Sequence, residues 1–324
     1  MHINAFKTKV RAFLYLAEKA CMITPPAIQH GDTIGIVAPA RSVTEEELQP
    51  FIKWAEKNGF RIKPGENIFG RLHQFAGSES RRLDDICRMM DDNEVKVILA
   101  ARGGYGSARL LDEMDLMQFA RNPKWIAGFS DITALMSAIN RIAGVETLHA
   151  LMPYTLYSHE AFDPESLDSL IRGLTAQKLT YKIGTNTLNV PGTAKGILTG
   201  GNLSVLYSLA GTPYEPDYEG KILFLEDVDE YLYHVDRMIL NFELRGIFQR
   251  IAGLVIGDFS KMNDNSIPFG KNAFEIIAER AVKYNVPTMF GFPAGHENRN
   301  HTLIFGRETT LTIGEAYSEL DFSG

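Results

Sequence analysis

The sequence predicts a two-domain α/β protein, with an N-terminal parallel sheet covered by helices on both faces and a C-terminal α/β domain rich in strands. Three observations carry that prediction. Short, unbroken apolar runs alternate with helix-like segments through the first half, the pattern of strands buried on both faces. These runs end in loops of Gly, Pro, Ser and Asp, the places where parallel sheets bind their ligands. The chain has 324 residues, more than a single core ordinarily fills.

In order along the chain, Ile34 to Ala38 is a buried strand, and Thr44 with Glu45 to Glu47 opens a helix that reaches about Asn58 and stops at Gly59. Phe60 to Lys63 begins another strand. Residues 79–92 make a charged helix with Leu83, Ile86 and Met90 on one face. Val95 to Ala100 is a strand ending in a glycine-rich loop, and Trp125 to Phe129 is a strand running into Ser130-Asp131 and a helix from Ile132 to Ile142. The domains are expected at 22–154 and 193–324, with the weakly periodic stretch 155–192 as their connection. In the second half, strands are expected at Ala194–Leu198, Lys221–Leu225, Gly253–Ile256 and Pro287–Phe290. Residues 199–204 form a turn into the helix Val205–Ala210, Tyr231–Arg245 and Ala273–Lys283 are further helices, and 302–312 is a terminal hairpin or strand pair.

Hydrophobic residues make up 45% and charged residues 23%, an ordinary globular composition. A formal charge of −7 argues against nucleic acid or an anionic membrane as partner. The two cysteines, Cys21 and Cys87, show neither a CxxC nor a metal-ligand spacing, so no disulfide framework, metal or cofactor is expected. Charges interrupt the apolar patch Ala12 to Ala17, which is too short to span a bilayer and lacks a cleavage signal. Residues 1–21 are therefore expected to be a helical extension with Met22 as an alternative start, and the location cytoplasmic.

The chemistry lies in the strand-end loops. Ser130 follows a strand and precedes a helix, the arrangement that lifts a nucleophilic hydroxyl to the mouth of a sheet, although the usual Gly-x-Ser-x-Gly is here Gly128-Phe-Ser130-Asp-Ile. The same serine also suits a helix N-cap. The loop Arg102-Gly-Gly-Tyr-Gly-Ser107 is an anion cradle without a dinucleotide or P-loop spacing, and Ser107 suits an N-cap there. A serine nucleophile needs an imidazole to take its proton and a carboxylate to orient that imidazole. Glu226, directly after Leu225, and His296, beside Gly295, follow two other apolar runs. His149 also follows an apolar run and is a rival base; His301 is expected at the surface.

Five ordered motifs, Arg102 to Leu111, Gly128 to Thr133, Gly200 to Ser204, Leu225-Glu-Asp and Gly295-His296, resemble the LD-carboxypeptidases, serine peptidases whose family also holds the microcin C immunity peptidases. The likeness runs from about Met22 to Ile313. It implies an amidotransferase-like, flavodoxin-like N-terminal domain, an active site between the domains and a homodimer. It places the nucleophile on Ser130, the acid on Glu226, the base on His296, and the oxyanion hole on the N–H groups of Asp131 and Gly104. Arg102 is a candidate for the substrate carboxylate. His149-Ala-Leu-Met departs from the His-Gly-Pro-Met of relatives, which leaves the triad untouched and alters one pocket wall. The implied reaction is release of terminal D-Ala from a murein tetrapeptide in cell-wall recycling. Hydrolysis of a microcin C-type peptide–nucleotide and non-catalytic anion binding are the alternatives.

Overall fold

The computed structural model describes residues 22–158 and 162–322; the extension expected at 1–21, Cys21 and His159 lie outside them. The chain groups into two units. The first comprises the described residues up to Leu148, with Met152–Tyr157 and Leu209–Pro216; the second holds the remainder.

In the first unit, strands β1 (Thr33–Val37), β2 (Arg61–Pro64), β3 (Val95–Ala100), β4 (Trp125–Gly128) and β5 (Thr147–His149) lie in the order β5-β4-β3-β1-β2. The pairs β1–β2, β1–β3 and β3–β4 are parallel. Order 2-1-3-4-5 is that of a doubly wound sheet. Because the chain leaves β1 in one direction and returns over it to β3, right-handed crossovers put the two intervening helices on opposite faces. The first, Glu45–Lys57, starts at Thr44, whose side chain and Glu47 form a reciprocal capping box. The second, Glu79–Asp91, is capped by Ser78 and turns Ile86, Met89 and Met90 inward. The reversal of strand order falls between β1 and β3, and the glycine-rich loop leaves β3 there.

After β4 the expected single helix is three short pieces. A 3₁₀ turn Ser130–Ile132 leads into the helix Thr133–Ala138, and a π turn Ile139–Ala143 ends at left-handed Gly144. Every residue of Thr133–Ala138 is buried, so packing rather than amphipathic patterning holds it.

The second unit is built on strands β6 (Thr180–Gly184), β7 (Gly192–Asn202), β8 (Ile222–Val228), β9 (Gly253–Ser260), β10 (Thr288–Phe290), β11 (Leu303–Phe305), β12 (Glu308–Ile313) and β13 (Tyr317–Asp321). Seven of these form one sheet, β10-β9-β8-β7-β12-β13-β6, parallel from β10 to β7 and antiparallel from β7 to β6. Leu223 and Leu225 of β8 pack with Val235, Met238, Ile239 and Phe242 of the helix Leu232–Leu244.

Three expectations change. Residues 155–192 carry a helix, Pro164–Leu174, started by Asp163 and by proline in its first turn, and the edge strand β6. Strand β7 does not stop at Leu198 but continues through Gly200 and Gly201; at Gly200 the backbone lies against β8 too closely for a side chain. The two strands expected at 302–312 are β11 and β12, but they do not form the terminal hairpin, in which β12 pairs with β13.

Candidate active site

In the first unit the candidate nucleophile stands at the end of β4. Ser130 has φ +62°, a left-handed conformation rare for a residue with a side chain. Its Oγ makes no capping bond among the described residues, and the residue preceding the turn, Phe129, offers no side-chain cap. The backbone thus bears a strain of about 1–2 kcal/mol that no cap offsets, as at a nucleophile elbow.

The glycine-rich loop lies against this serine. A Cβ on Gly103 would come within 2.9 Å of Ser130 Cβ and 3.0 Å of its Oγ, so only glycine permits the approach. The backbone N–H of Arg41, after β1, donates to the Gly103 carbonyl at 3.4 Å. Asp131, expected to matter only through its backbone N–H, is buried, and its carboxylate accepts from the Ser107 N–H at 2.8 Å. Ser107 is not a cap; Gly106 precedes the 3₁₀ helix Ser107–Glu113. Arg102 lies with its guanidinium 3.7 Å from the ring centre of Tyr154, and its Nη1 is 3.7 Å from Glu47.

In the second unit the polar residues gather at the carboxyl ends of the parallel strands, where such sheets hold their ligands. Glu226 and Asp227 remain within β8, which runs three residues beyond Leu225, and both are buried rather than loop carboxylates. Oε2 of Glu226 accepts from Nδ1 of His296 at 2.7 Å. Burial by itself would raise the Glu226 carboxyl; the His296 charge and hydrogen bond outweigh it and bring the group below the usual glutamate value. Burial opposes the charged form of His296 too, but Glu226 raises its pKa above the ordinary 6.5. His149 groups with this unit and is fully buried, with Nε2 3.2 Å from Asn300 Oδ1 and its ring edge-on to Phe224. Burial pushes its pKa down to about 4, against the nearby Glu226 charge and the Asn300 hydrogen bond, which favour the charged form.

Three further polar residues were not anticipated. Asn202, at the end of β7, donates from Nδ2 to Asp227 at 2.9 Å and accepts from Val205 N–H, in the first turn of the helix Leu203–Ser208. Asp227 also accepts from the Ser204 N–H at 2.9 Å, and burial with the nearby Glu226 charge lifts its pKa to about 7. Asp258, in β9, flanks Gly295 together with Glu226 and is lifted to about 7 by burial and by the charges of Glu297 and Glu226. Its position directly after an apolar run was the available signal. His301, expected at the surface, is buried; its ring stacks on Tyr181 and its Nε2 is 3.1 Å from Asp163. An aromatic face and a carboxylate partner offset the hydration that a histidine loses there.

A serine in a strained strand-to-turn step and, in the other unit, a buried carboxylate–imidazole pair are each groups of the kind that acyl-transfer chemistry uses. Residues 34–150 match the LD-carboxypeptidase N-terminal domain and residues 195–311 the LD-carboxypeptidase C-terminal domain. The chain belongs to the LD-carboxypeptidase family. It is a serine-type peptidase. A probable murein peptide carboxypeptidase of Bacillus subtilis is 32% identical over 297 residues, covering 90% of this chain and 92% of that protein. The crystal structure of muramoyltetrapeptide carboxypeptidase from Oxalobacter formigenes superposes with a TM-score of 0.83 at 28% identity, covering 90% of this chain and 99% of the other. The microcin C7 self-immunity protein in its wild-type apo state also has a TM-score of 0.83, over 92% of this chain and 98% of the other; at 21% identity the likeness is one of fold.

Proposed function

We propose that this LD-carboxypeptidase removes the terminal D-Ala from a murein tetrapeptide, with Ser130 as nucleophile, His296 as base and Glu226 as the carboxylate that orients the base. The observation that carries the reading is the Glu226–His296 pair. A buried carboxylate on Nδ1 holds the ring in the tautomer whose Nε2 accepts a proton, the one a serine nucleophile requires. Ser130 Oγ attacks the carbonyl of the L,D bond as its proton passes to His296 Nε2. The tetrahedral oxyanion takes hydrogen bonds from the N–H groups of Asp131 and Gly104. His296 then protonates the departing amine of D-Ala, and water, deprotonated by the same imidazole, releases the shortened peptide from Ser130. Arg102 receives the terminal carboxylate.

Support for the murein substrate comes from the relatives of Bacillus subtilis and Oxalobacter formigenes. The reading includes a cytoplasmic homodimer; no helix among the described residues is long and apolar enough to cross a membrane. Incubation with murein tetrapeptide and, separately, with a microcin C-type conjugate, followed by mass analysis, tests the assignment. D-Ala release by the native chain and none by Ser130→Ala is expected; turnover of the conjugate alone would replace the murein reading.

A further inference from the structure

The loop that carries a candidate oxyanion donor is gripped at one peptide bond from both sides. The carbonyl of Gly106 accepts from Nη1 of Arg82 at 3.0 Å, and the N–H of the same peptide unit, on Ser107, donates to Oδ2 of Asp131 at 2.8 Å. Both charged side chains are buried, Arg82 at 2% exposure and Asp131 at 5%. Arg82 comes from the helix Glu79–Asp91 and also donates to the carbonyl of Pro39, at the exit of β1. Its guanidinium lies 5.0 Å from the Phe75 ring centre, which restricts its plane. Asp131 is the residue immediately after Ser130. One cation and one carboxylate therefore tie together the exit of β1, the loop after β3 and the turn after β4.

Gly106 is held by the same contacts. It has φ +133°, and a Cβ there would fall 2.9 Å from Arg82 Nη1 and 3.0 Å from the Phe75 ring. The peptide plane at Gly106–Ser107 thus has one orientation compatible with its neighbours. Rotating it would break two charge-assisted hydrogen bonds at once and leave both ions buried without those partners. Oxyanion stabilisation depends on donors fixed before charge develops, and a loop with glycine at 103, 104 and 106 has no such fixity of its own.

We infer that Arg82 and Asp131 are positioning residues that clamp the Gly106–Ser107 peptide and thereby fix the glycine loop against the Ser130 elbow. The inference rests on Ser130 as nucleophile and on the loop as oxyanion donor, and it assigns the Asp131 side chain a task separate from its backbone N–H. The clamp acts on the transition state, so its loss lowers kcat and leaves KM nearly unchanged.

The test compares Asp131→Ala, Asp131→Asn, Arg82→Met and Ser130→Ala in the full chain, with tetrapeptide turnover and with the rate of Ser130 labelling by a fluorophosphonate. Asp131→Ala is expected to reduce kcat about 100-fold, the scale of losing an oxyanion donor, with KM within about threefold and slower labelling. Asp131→Asn keeps an acceptor for the Ser107 N–H and is expected to recover most of that loss. Arg82→Met attacks the other side of the peptide and is expected to lower kcat at least about tenfold, so the clamp stays testable even if Asp131→Ala fails to fold. Native kcat and labelling in either folded variant overturns the clamp, as does failure of Asp131→Asn to improve on Asp131→Ala. Normal turnover by Ser130→Ala would instead overturn the nucleophile assignment beneath it.

Discussion

Glu226 accepts a 2.7 Å hydrogen bond from Nδ1 of His296, with the carboxylate wholly out of solvent and the imidazole side chain 18% exposed. The two residues are 70 positions apart in sequence. The pair is asymmetric: the acid is wholly enclosed, while the base is partly exposed. A buried carboxylate persists in its charged form only when something nearby compensates its lost hydration, and here the imidazole does so.

From this pair follows a pH dependence. With His296 as the proposed base, catalysis needs it neutral in the free enzyme, and Glu226 raises that group above 6.5. Activity as kcat/KM should therefore fall on the acid side through an apparent pKa higher than 6.5. Glu226→Gln removes the charge but leaves the burial that opposes imidazolium, so the acid limb should move below 6.5 and kcat should drop roughly 10²- to 10⁴-fold. A pH–rate profile of both forms checks the sign. An acid limb that stays in place in Glu226→Gln would dissociate Glu226 from the base.

Much of this arrangement was legible because strand ends announce themselves. Ser130, Glu226 and His296 each follow an apolar run, and the 2-1-3-4-5 sheet puts its switch point where the glycine loop was expected to bind an anion. The side-chain task of Asp131 was not legible, since its partner Ser107 lies 24 residues away and no local pattern joins them. His301 was misplaced for a related reason: its polarity suggested solvent, but Tyr181 and Asp163, both distant in sequence, make a slot for it. Gly200-Gly201 suggested a turn, whereas close backbone approach to β8 is the other use of a strand glycine. In each case the local sequence allowed two structures and a long-range contact chose between them.

The backbone at Ser130 separates stability from activity. At φ +62° a serine or alanine bears a strain that glycine does not. Ser130→Gly and Ser130→Ala should both be inactive, but Ser130→Gly should be more stable than Ser130→Ala by about 1 kcal/mol. Denaturant unfolding of the two variants side by side measures the difference. Equal midpoints would mean that the elbow carries no strain.

Gly103 sets how closely the loop approaches Ser130. In Gly103→Ala the new methyl would meet Ser130 Cβ at 2.9 Å and Oγ at 3.0 Å, so the serine or the loop must shift by a few tenths of an ångström. The expected result is a fall in kcat of about 100-fold with a much smaller change in KM, since displacement from attack geometry acts on the chemical step. Steady-state kinetics on tetrapeptide gives both values, and an unaltered kcat would move the nucleophile's working position away from this loop.

Arg102 provides the specificity test. A carboxypeptidase must recognise a terminal carboxylate, and a guanidinium does so through the N–H groups at its rim. Stacking on Tyr154 occupies one face of the group, and Glu47 approaches one end at 3.7 Å, which leaves rim donors for a second anion. Arg102→Met keeps an apolar stem on the tyrosine ring while removing the charge, so the local packing survives. KM for a peptide ending in a free carboxylate should rise about 10- to 100-fold, the equivalent of about 1.4–2.7 kcal/mol. The same peptide ending in an amide should be a poor substrate of the native chain and lose little more in the variant, because it never engaged the charge. Arg102→Lys should recover part of the effect, supplying the charge without the fork. A parallel rise in KM for acid and amide would assign Arg102 to the packing of the Tyr154 wall and send the search for the carboxylate site elsewhere.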